Sequence, residues 1–422
     1  MKKLKVILIG AGSRGMGYTD IMHKHPEKFE VIGVAEPIES RRNHVRDLHN
    51  IPECMCFDDY APLLRLGKIA DIAVVATMDR DHFAPAMDAI ALGYDLLLEK
   101  PITPTPEECV KLTNFAVEKG VKVIICTVLR YTLVFNALKD IIDSGKIGKV
   151  MSINHEENVG NIHQSHSFVR GNWGNEGRSS NMLLQKTCHD FDILQWLISK
   201  KCKSIQSFGT LSYFKKENAP EGATEYCIDG CPHAETCRFS AVKLYLESGD
   251  NAWFRPACAR VCNPTDADVE KAIRETQYGK CVFKCDNDVV DHQTVNILFE
   301  DDITVTFSMN AFNKGGRNIH IYGTEGEVTA AIDGNKPIKV YDFNSNTESE
   351  IEYSGLDGIL GGHGGGDDGI IETLYDYLTG NYFGKSVPTI EESCYNHLIT
   401  FAAEESRRTQ NVVNFEEYVK SF

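Results

Sequence analysis

The chain has 422 residues, of which 42% are apolar and 25% are charged. At roughly 150 residues per domain, this length predicts two or three folded units, and the composition excludes a disordered chain. The formal net charge of -16 argues against nucleic acid or an anionic membrane as the main partner, because both are bound through an excess of lysine and arginine. A neutral small molecule is the better expectation, although a local basic pocket is compatible with this total.

The first residues, MKKLKVILIGAG, combine a basic start with a short apolar run. A signal peptide has the same features, but this run leads directly into a glycine-rich turn and therefore predicts a buried strand. No segment reaches the roughly 18 apolar residues that a bilayer-spanning helix needs. We expect a cytoplasmic protein whose 14 cysteines are mostly thiols or metal ligands rather than disulfides.

Residues 1–127 alternate strand and helix patterns, with helical segments at His82–Leu92 and Pro106–Lys119. Continuous apolar strands separated by helices predict a parallel sheet that is covered on both faces, a doubly wound Rossmann domain. The predicted strands are Val6–Ile9, Val31–Ala35, Ile72–Ala76, Leu96–Leu98 and Val121–Cys126.

Residues 128–422 form the second predicted domain. After Lys149 the apolar residues recur every second position, and a hairpin is expected around Glu300-Asp301-Asp302, so this α/β domain has a large, mostly antiparallel open sheet. A helix over 183–198 precedes the sheet. Residues 213–285 have weak periodicity and many cysteines, which indicates an insertion. The chain ends in helices, one over 369–378 and one after the capping box at 389–392.

A dinucleotide-binding fingerprint follows the first strand. Its members are Gly10, Gly12, Ser13, Arg14 and Gly15. Glycines at this spacing permit a tight turn and a close approach of the backbone to a pyrophosphate at the helix N-terminus.

Glu36 ends the second strand about 20 residues later, where a carboxylate accepts hydrogen bonds from ribose hydroxyls. It favours NAD, because it would repel a 2′-phosphate. Arg41 and Arg42 keep NADP open as the alternative.

Several motifs together resemble the GFO/IDH/MocA family of sugar and polyol oxidoreductases. They are the GAGSRG turn, Ala76-Thr77 with His82, Glu99-Lys100-Pro101, the segment 142–148, the helix with His189 and Asp192, and the turn 323–326. The resemblance covers nearly the whole chain except the insertion. It implies NAD(P) bound in part by Thr77, His82, Glu99 and Lys100, a carbohydrate substrate, and a homodimer or homotetramer assembled through the open sheet.

The resemblance also places Lys100 beside the nicotinamide and the reacting hydroxyl. Lys100 follows a parallel strand at its carboxyl end, where open α/β sheets bind ligands. An amine held near a nicotinamide cation can have a lowered pKa and relay a proton. The alternative interpretation is a surface lysine in a turn.

The second catalytic element of the family is an Asp-x-x-x-His sequence on the first helix of the second domain. Here Gln185 replaces the aspartate, and an amide cannot take a proton. His189 matches the histidine and is the candidate general acid/base, because histidine titrates near neutrality. Lys186 and Asp192, each three residues from His189, are predicted to supply positive charge and to orient the imidazole. A structural histidine is the alternative.

Polar residues and one aromatic residue after the next strand form a predicted sugar-binding set. They are His155, Glu156, Asn158, His163, His166, Arg170 and Trp173. Metal ligation by the three histidines and a solvated polar loop remain the alternatives. The glycine-rich stretch 361–368 predicts either a close backbone approach to a ligand or a flexible connector.

Seven cysteines fall inside the insertion. Four of them are candidate ligands of a structural zinc ion, which would order a segment with little apolar content. The four are Cys227, Cys231, Cys237 and Cys281. Free thiols and disulfides are the alternatives, because the spacing is not the regular CxxC pair.

Three functions remain open. The first is hydride transfer between nicotinamide and a hydroxyl or ketone of a sugar, polyol or glycoside. The second is redox-neutral glycoside cleavage, in which bound NAD oxidises a ring hydroxyl so that the neighbouring C–H becomes acidic enough for elimination. The third is a non-catalytic sensor that binds the cofactor, against which the intact Glu99-Lys100-Pro101 motif argues.

Overall fold

The computed structural model describes residues 2–249, 252–332, 336–352 and 365–422. The first sheet is parallel, with the strand order β3-β2-β1-β4-β5-β6. Its strands are β1 (Leu4–Ile9), β2 (Phe29–Ala35), β3 (Cys56–Phe57), β4 (Ile72–Val75), β5 (Asp95–Leu98) and β6 (Val123–Ile125). The chain reverses direction across the sheet between β1 and β4, and ligands bind open sheets of this kind at the carboxyl side of that point.

Helices connect the strands and cover both faces of this sheet. They are α1 (Ser13–His23), α2 (Glu39–His49), α3 (Tyr60–Leu64), α4 (Phe83–Ala91) and α5 (Pro106–Lys119). Helix α5 shows why the local sequence folds as it does: the Thr105 side chain caps its first turn, and Gly120 ends it in the left-handed conformation.

The second sheet has the order β14-β13-β12-β11-β7-β10-β9-β8-β15. Its strands are β7 (Val150–Asn158), β8 (Cys202–Thr210), β9 (His292–Phe299), β10 (Thr304–Asn310), β11 (Gly316–Gly323), β12 (Gly326–Ala331), β13 (Ile338–Asp342), β14 (Thr347–Ile351) and β15 (Val413–Asn414). Neighbouring strands are antiparallel except for the central pair of β7 and β10, which is parallel.

The remaining helices are α6 (Leu133–Asp143), α7 (Asn161–His163), α8 (Met182–Ile198), α9 (Arg255–Ala259), α10 (Asp266–Glu275), α11 (Gly366–Thr379), α12 (Ile390–Thr409) and α13 (Phe415–Val419). They pack around the second sheet or between the domains, except α9 and α10, which pack within the insertion. Helix α8 is buried along nearly its whole length, against the second sheet and α12. None of the helices in the described ranges is long and apolar enough to cross a membrane.

The insertion carries its own small apolar core. Tyr245, Phe254, Cys258, Val269 and Ile273 pack together within it. A backbone bridge between Tyr226 and Lys280 closes its two ends. The insertion is therefore a packed unit rather than an open loop.

The predicted fold class is confirmed, a parallel Rossmann sheet followed by a mixed, mostly antiparallel sheet. The hairpin at 300–302 is also confirmed as β9 and β10, as is the capping box of Thr389 and Glu392. The parallel pairing of β7 with β10 was not predicted, because their sequence pattern is the same for both directions.

Candidate active site

The glycine fingerprint has the shape of a dinucleotide cradle. Gly10 lies at φ 91°, and a Cβ there would meet the Ala76 carbonyl oxygen at 2.6 Å. A Cβ on Gly15 would meet the Gly10 oxygen at 2.0 Å, so this glycine lets α1 pack on the strand. A Cβ on Gly12 would have no atom within 4 Å, so the backbone there faces open space. These are the three roles that glycines take around a pyrophosphate.

Glu36 lies beside this cradle at the end of β2, with 5% of its surface exposed. Its Oε2 accepts a hydrogen bond from the Ala11 backbone N–H at 2.7 Å, and its Oε1 accepts one from the Ile38 N–H at 2.9 Å. Arg42 donates to the Glu36 carbonyl oxygen. The carboxylate is held in place before any ribose hydroxyl reaches it.

Arg14 links the fingerprint to the strand that carries Lys100. It donates to Glu99 Oε1 at 2.9 Å, to Tyr18 Oη, and to both carboxylate oxygens of Asp367. Tyr18 also donates to Glu99, at 2.6 Å. Burial would raise the pKa of Glu99, but the charges of Arg14 and Lys100 outweigh burial and hold the pKa below its usual value. Glu99 is therefore an ionised brace behind Lys100.

Lys100 joins the Rossmann sheet to α8. It follows β5, and its Nζ donates to the backbone oxygen of Gln185 at 2.6 Å. Gln185 and His189 are four residues apart and lie on the same side of α8. His189 is 5% exposed. The carboxyl edge of the first sheet thus brings together Lys100, Lys186 and the turn of α8 that carries His189.

A buried ionic network supports this corner from the second sheet. Lys186 Nζ lies 3.3 Å from Glu157 Oε1 on β7. Arg317, on β11, lies 2.6 Å from the other Glu157 oxygen and donates to Asp190 at 2.7 Å. Asp190 also contacts His155 Nε2 at 2.8 Å. Two buried anions, Glu157 and Asp190, thus alternate here with two partly buried cations, Lys186 and Arg317.

The lysine in this network has a lowered pKa. Burial lowers the pKa of Lys186 most, and the charges of Arg317 and Lys100 lower it further, while Glu157 opposes them. A neutral amine is consequently easier to reach at Lys186 than at an exposed lysine, and a neutral amine can accept a proton.

His163 lies close to the same cations. Burial holds its pKa well below the usual value, and the charges of Lys186, Arg317 and Lys100 add to this effect. Its ring also contacts the Trp253 ring edge-on, with centroids 5.2 Å apart. A neutral imidazole beside an exposed indole is suited to hydrogen bonding and stacking against a sugar.

Two further histidines hold the loop that carries Lys100. His82 Nδ1 lies 2.7 Å from the Pro101 carbonyl oxygen, and its Nε2 lies 3.1 Å from the Thr77 oxygen. His397 Nε2 accepts a hydrogen bond from the Ile102 N–H at 3.1 Å. Both histidines are buried, and these hydrogen-bonding contacts are with backbone groups, so His82 braces the loop that carries Lys100.

Two family models match the chain across almost its full length. One is described as an oxidoreductase family with an NAD-binding Rossmann fold and matches residues 4–127. The other is described as the C-terminal alpha/beta domain of that family and matches residues 139–415. The chain belongs to the GFO/IDH/MocA oxidoreductase family.

Named relatives agree with this membership at low identity. A putative oxidoreductase of Bacillus subtilis, YteT, is 23% identical over 403 residues, which cover 88% of each chain. Inositol 2-dehydrogenase of Salmonella typhimurium is 22% identical over 206 residues, which are 49% of this chain and 57% of that enzyme.

Solved structures share the fold. Levoglucosan dehydrogenase in complex with NADH and levoglucosan superposes with a TM-score of 0.71 at 14% identity, covering 98% of this chain and 100% of that one. An Agrobacterium radiobacter oxidoreductase in complex with NAD+, L-tartaric acid and magnesium gives 0.70 at 14% identity, covering 99% of each chain.

Asp192, predicted to orient His189, is also bonded to other elements of the fold. Its two carboxylate oxygens accept hydrogen bonds from Arg130, at 2.6 and 2.9 Å, and from Asn396 at 2.7 Å. These bonds tie α8 to α12 and to the segment before α6. Asp192 therefore has a structural ion pair, and its orientation of His189 stays a prediction.

The predicted sugar-binding set is scattered. Glu156 and Asn158 lie on the outer face of β7, because the side chains at 153, 155 and 157 point inward. His155 is buried and bonded to Asp190, so its contact is with the network rather than with an open pocket. These three residues do not form a common binding surface.

The other members of the set also separate. Arg170 is fully buried and donates to the Lys280 and Phe239 carbonyl oxygens, and His166 is bonded to Tyr245 inside the insertion. Trp173 donates to Asp79 near the end of β4. His163 is therefore the one member of the set that the structure places beside Lys100 and Lys186.

Sequence reasoning missed Glu157, Asp190 and Arg317. Glu156 was selected instead of Glu157. The two-residue period of β7 could have corrected this choice, because it puts position 157 on the inward face with 153 and 155. Asp190 on α8 and Arg317 on β11 lie 127 residues apart, and only the packing of α8 against the second sheet brings them together. The part of the glycine-rich stretch at 361–364 lies outside the described residues.

The four candidate zinc ligands, Cys227, Cys231, Cys237 and Cys281, line one cavity of about 20 Å³. All 14 cysteines are free thiols, so the disulfide alternative is not realised. Within the ranges that the structure describes, no group of three or more His, Cys, Asp or Glu side chains is arranged to hold a metal ion. The prediction of zinc is not confirmed.

Proposed function

We propose that this oxidoreductase transfers a hydride between a nicotinamide cofactor and a hydroxyl or ketone of a sugar or polyol. The observation that carries the proposal is the hydrogen bond from Lys100 Nζ to the Gln185 backbone, 2.6 Å long. It brings the α8 residues Lys186 and His189 to the carboxyl edge of the Rossmann sheet, where a nicotinamide would lie.

The residues present fit a dinucleotide. Gly12 leaves space for a pyrophosphate at the N-terminus of α1, and Glu36 is placed for ribose hydroxyls. We propose NAD rather than NADP, because the Glu36 carboxylate is fixed beside the cradle and would repel a 2′-phosphate. When bound, the nicotinamide accepts the hydride from the carbinol carbon or returns it to the ketone.

Each polar group of the site then has a role in handling the hydroxyl proton. We propose that Lys100 stabilises the negative charge that develops on the reacting oxygen. His189 and Lys186 are the candidate proton acceptors, and burial, which lowers the pKa of Lys186, makes its neutral, proton-accepting form easier to reach than that of an exposed lysine. Glu157 holds the Lys186 amine at 3.3 Å and is itself held by Arg317 at 2.6 Å.

The substrate class follows from the same groups and from related proteins. His163 and Trp253 present a hydrogen-bonding ring and an aromatic surface. The curated and structural relatives include inositol and levoglucosan dehydrogenases. A panel of inositols, anhydrosugars, aldoses and glycosides with NAD, followed by nicotinamide absorbance, tests the proposal. Net NADH formation with at least one member is the expected result.

Redox-neutral glycoside cleavage is the second candidate, favoured by the presence of two lysines at one site. That reaction needs a base for the C–H next to the transient ketone in addition to the group that takes the hydroxyl proton. Release of aglycone from the glycosides without net NADH would establish it. A protein that binds NAD tightly but is silent in both assays would instead be a sensor.

Zinc binding by the four cysteines around the cavity stays a prediction from their grouping, because in the described residues their side chains do not form a ready-made metal site. Backbone N–H groups of Thr224 and His233 lower the pKa of the Cys231 thiol although burial raises it, which favours a thiolate. Elemental analysis of protein purified without chelator should give one zinc per chain, and Cys227→Ser should lose it. Protein without metal would identify these residues as free thiols.

We propose assembly into a homodimer or homotetramer through the open face of the second sheet. Met151 and Phe208 lie on this sheet with 48% and 53% of their surfaces exposed, and exposed apolar residues on a sheet favour association. Light scattering is expected to report a dimer or tetramer, and Phe208→Glu should shift the protein towards monomer.

A further inference from the structure

The insertion extends a short segment, residues 252–262, from the candidate substrate pocket to the adenosine end of the dinucleotide cradle. The segment contains α9, and Phe254 and Cys258 anchor it in the apolar core of the insertion. Arg255, also part of the segment, has a fully buried side chain that donates to the Tyr245 carbonyl oxygen at 2.8 Å. We name these residues the crossing segment.

One end of the crossing segment lies at the candidate catalytic corner. Trp253 contacts the rings of His163 and His166 edge-on, with centroids 5.2 and 5.1 Å apart. His163 is the histidine whose pKa is lowered by burial and by the charges of Lys186, Arg317 and Lys100. Even so, 59% of the Trp253 surface is exposed, which is unusual for an indole held by two neighbouring rings.

The other end of the segment touches the Rossmann domain. Cys262 Sγ lies 3.7 Å from Met16 Sδ, one residue after the last fingerprint glycine, and 4.0 Å from the Ser40 carbonyl oxygen at the start of α2. Burial raises the pKa of the Cys262 thiol, the charge of Arg41 lowers it, and the charge of Glu36 raises it further. These residues surround the place where the adenosine ribose would bind.

The two ends of the crossing segment therefore contact the candidate catalytic corner and the starts of α1 and α2. A dinucleotide bound in the cradle would extend between these two places. The side chain of Arg260 is exposed within this stretch, and a cation there suits a pyrophosphate. A covering element of this kind slows ligand release, because it has to move before the ligand can leave.

We propose that the crossing segment covers the bound dinucleotide and slows its release, with Trp253 against the nicotinamide and sugar end. This inference rests on the proposed function, since it requires that a dinucleotide bind to the cradle. It adds that the insertion makes release of NADH slow compared with hydride transfer, so that cofactor exchange sets the rate of net NADH formation.

The test is the dissociation rate of NADH, measured by stopped-flow displacement with excess NAD and followed by energy transfer from tryptophan. Trp253→Ala and Cys262→Asp should each raise this rate by at least about tenfold, equivalent to about 1.4 kcal/mol. Phe383→Ala is the matched control, because Phe383 is 94% exposed in the loop between α11 and α12 and should leave the rate unchanged.

A second measurement does not depend on any variant. Hydrogen exchange of the wild-type protein should show that backbone amides of residues 252–262 become protected when NADH binds. Unchanged dissociation rates in both variants, together with unchanged exchange of these amides, would overturn the role of the crossing segment while leaving the proposed oxidoreductase intact. Absence of any NADH binding would overturn both.

Discussion

Acid should weaken the fold through His397, the buried histidine that holds the loop carrying Lys100. Its Nε2 accepts the Ile102 N–H, so its Nδ1–H donates to the Ser393 carbonyl oxygen at 2.8 Å. Burial lowers the pKa of His397 from 6.5 to about 4, and the charges of Lys100 and His82 lower it while Asp192 opposes them. Protonation would remove the acceptor for Ile102.

The sign of the pH dependence follows from this lowered pKa. The unfolded chain takes up a proton near pH 6.5 and the folded protein does so only near pH 4, so the stabilisation is complete above pH 6.5 and is lost as the pH falls towards 4. Each pKa unit corresponds to 1.36 kcal/mol. Between pH 7.5 and pH 5, His397 should account for a loss of about 2 kcal/mol in the free energy of unfolding.

The matched variant is His397→Gln, which keeps a side-chain acceptor but does not titrate. Urea denaturation of both proteins at pH 7.5 and pH 5, followed by circular dichroism and by tryptophan fluorescence, gives the two differences. The variant should lose about 2 kcal/mol less than the wild type over this interval. His49 and His166 also have lowered pKa values but contribute equally to both proteins. Equal losses would refute the burial argument.

Three further predictions concern the site. Lys100→Met should lower kcat by about 10² to 10⁴ while calorimetry shows NAD affinity within a few-fold of wild type; unchanged kcat would remove Lys100 from the chemistry. Glu36→Ser should reduce the preference for NAD over NADP by at least about tenfold, and a preserved preference would assign the selectivity elsewhere. Glu157→Gln should move the acid limb of the kcat/KM profile against pH to lower pH, because Glu157 is the strongest group that raises the pKa of Lys186. An acid limb that stays in place would exclude Lys186 as the titrating base.

The Rossmann domain was predictable because its signals are local. Apolar runs, helix caps and the glycine spacing each act within a few residues, and β1, β5 and α5 form where those signals place them. The fingerprint and Glu36 could be paired from spacing alone, since the end of β2 and the Gly10 turn adjoin in any parallel sheet of this order.

The ionic network could not be predicted in the same way. Lys186 was identified from its position on α8, but its partner Glu157 comes from β7, and Arg317 comes from a strand much later in the chain. Helical spacing suggested that Asp192 serves His189, whereas Arg130, 62 residues earlier, takes that carboxylate. Which elements pack together decides the partner of each buried charge. The sequence around one charged residue therefore does not identify the residue that pairs with it.

A crystal structure of the protein with NAD would decide whether the corner formed by Lys100 and α8 is a hydride-transfer site. The nicotinamide ring should lie over the pocket bounded by Lys100, Lys186 and His189, with its C4 facing the space beside His163. A ring bound far from these side chains, or a crystal in which the cradle at Gly12 binds no dinucleotide at saturating concentration, would contradict the proposed chemistry.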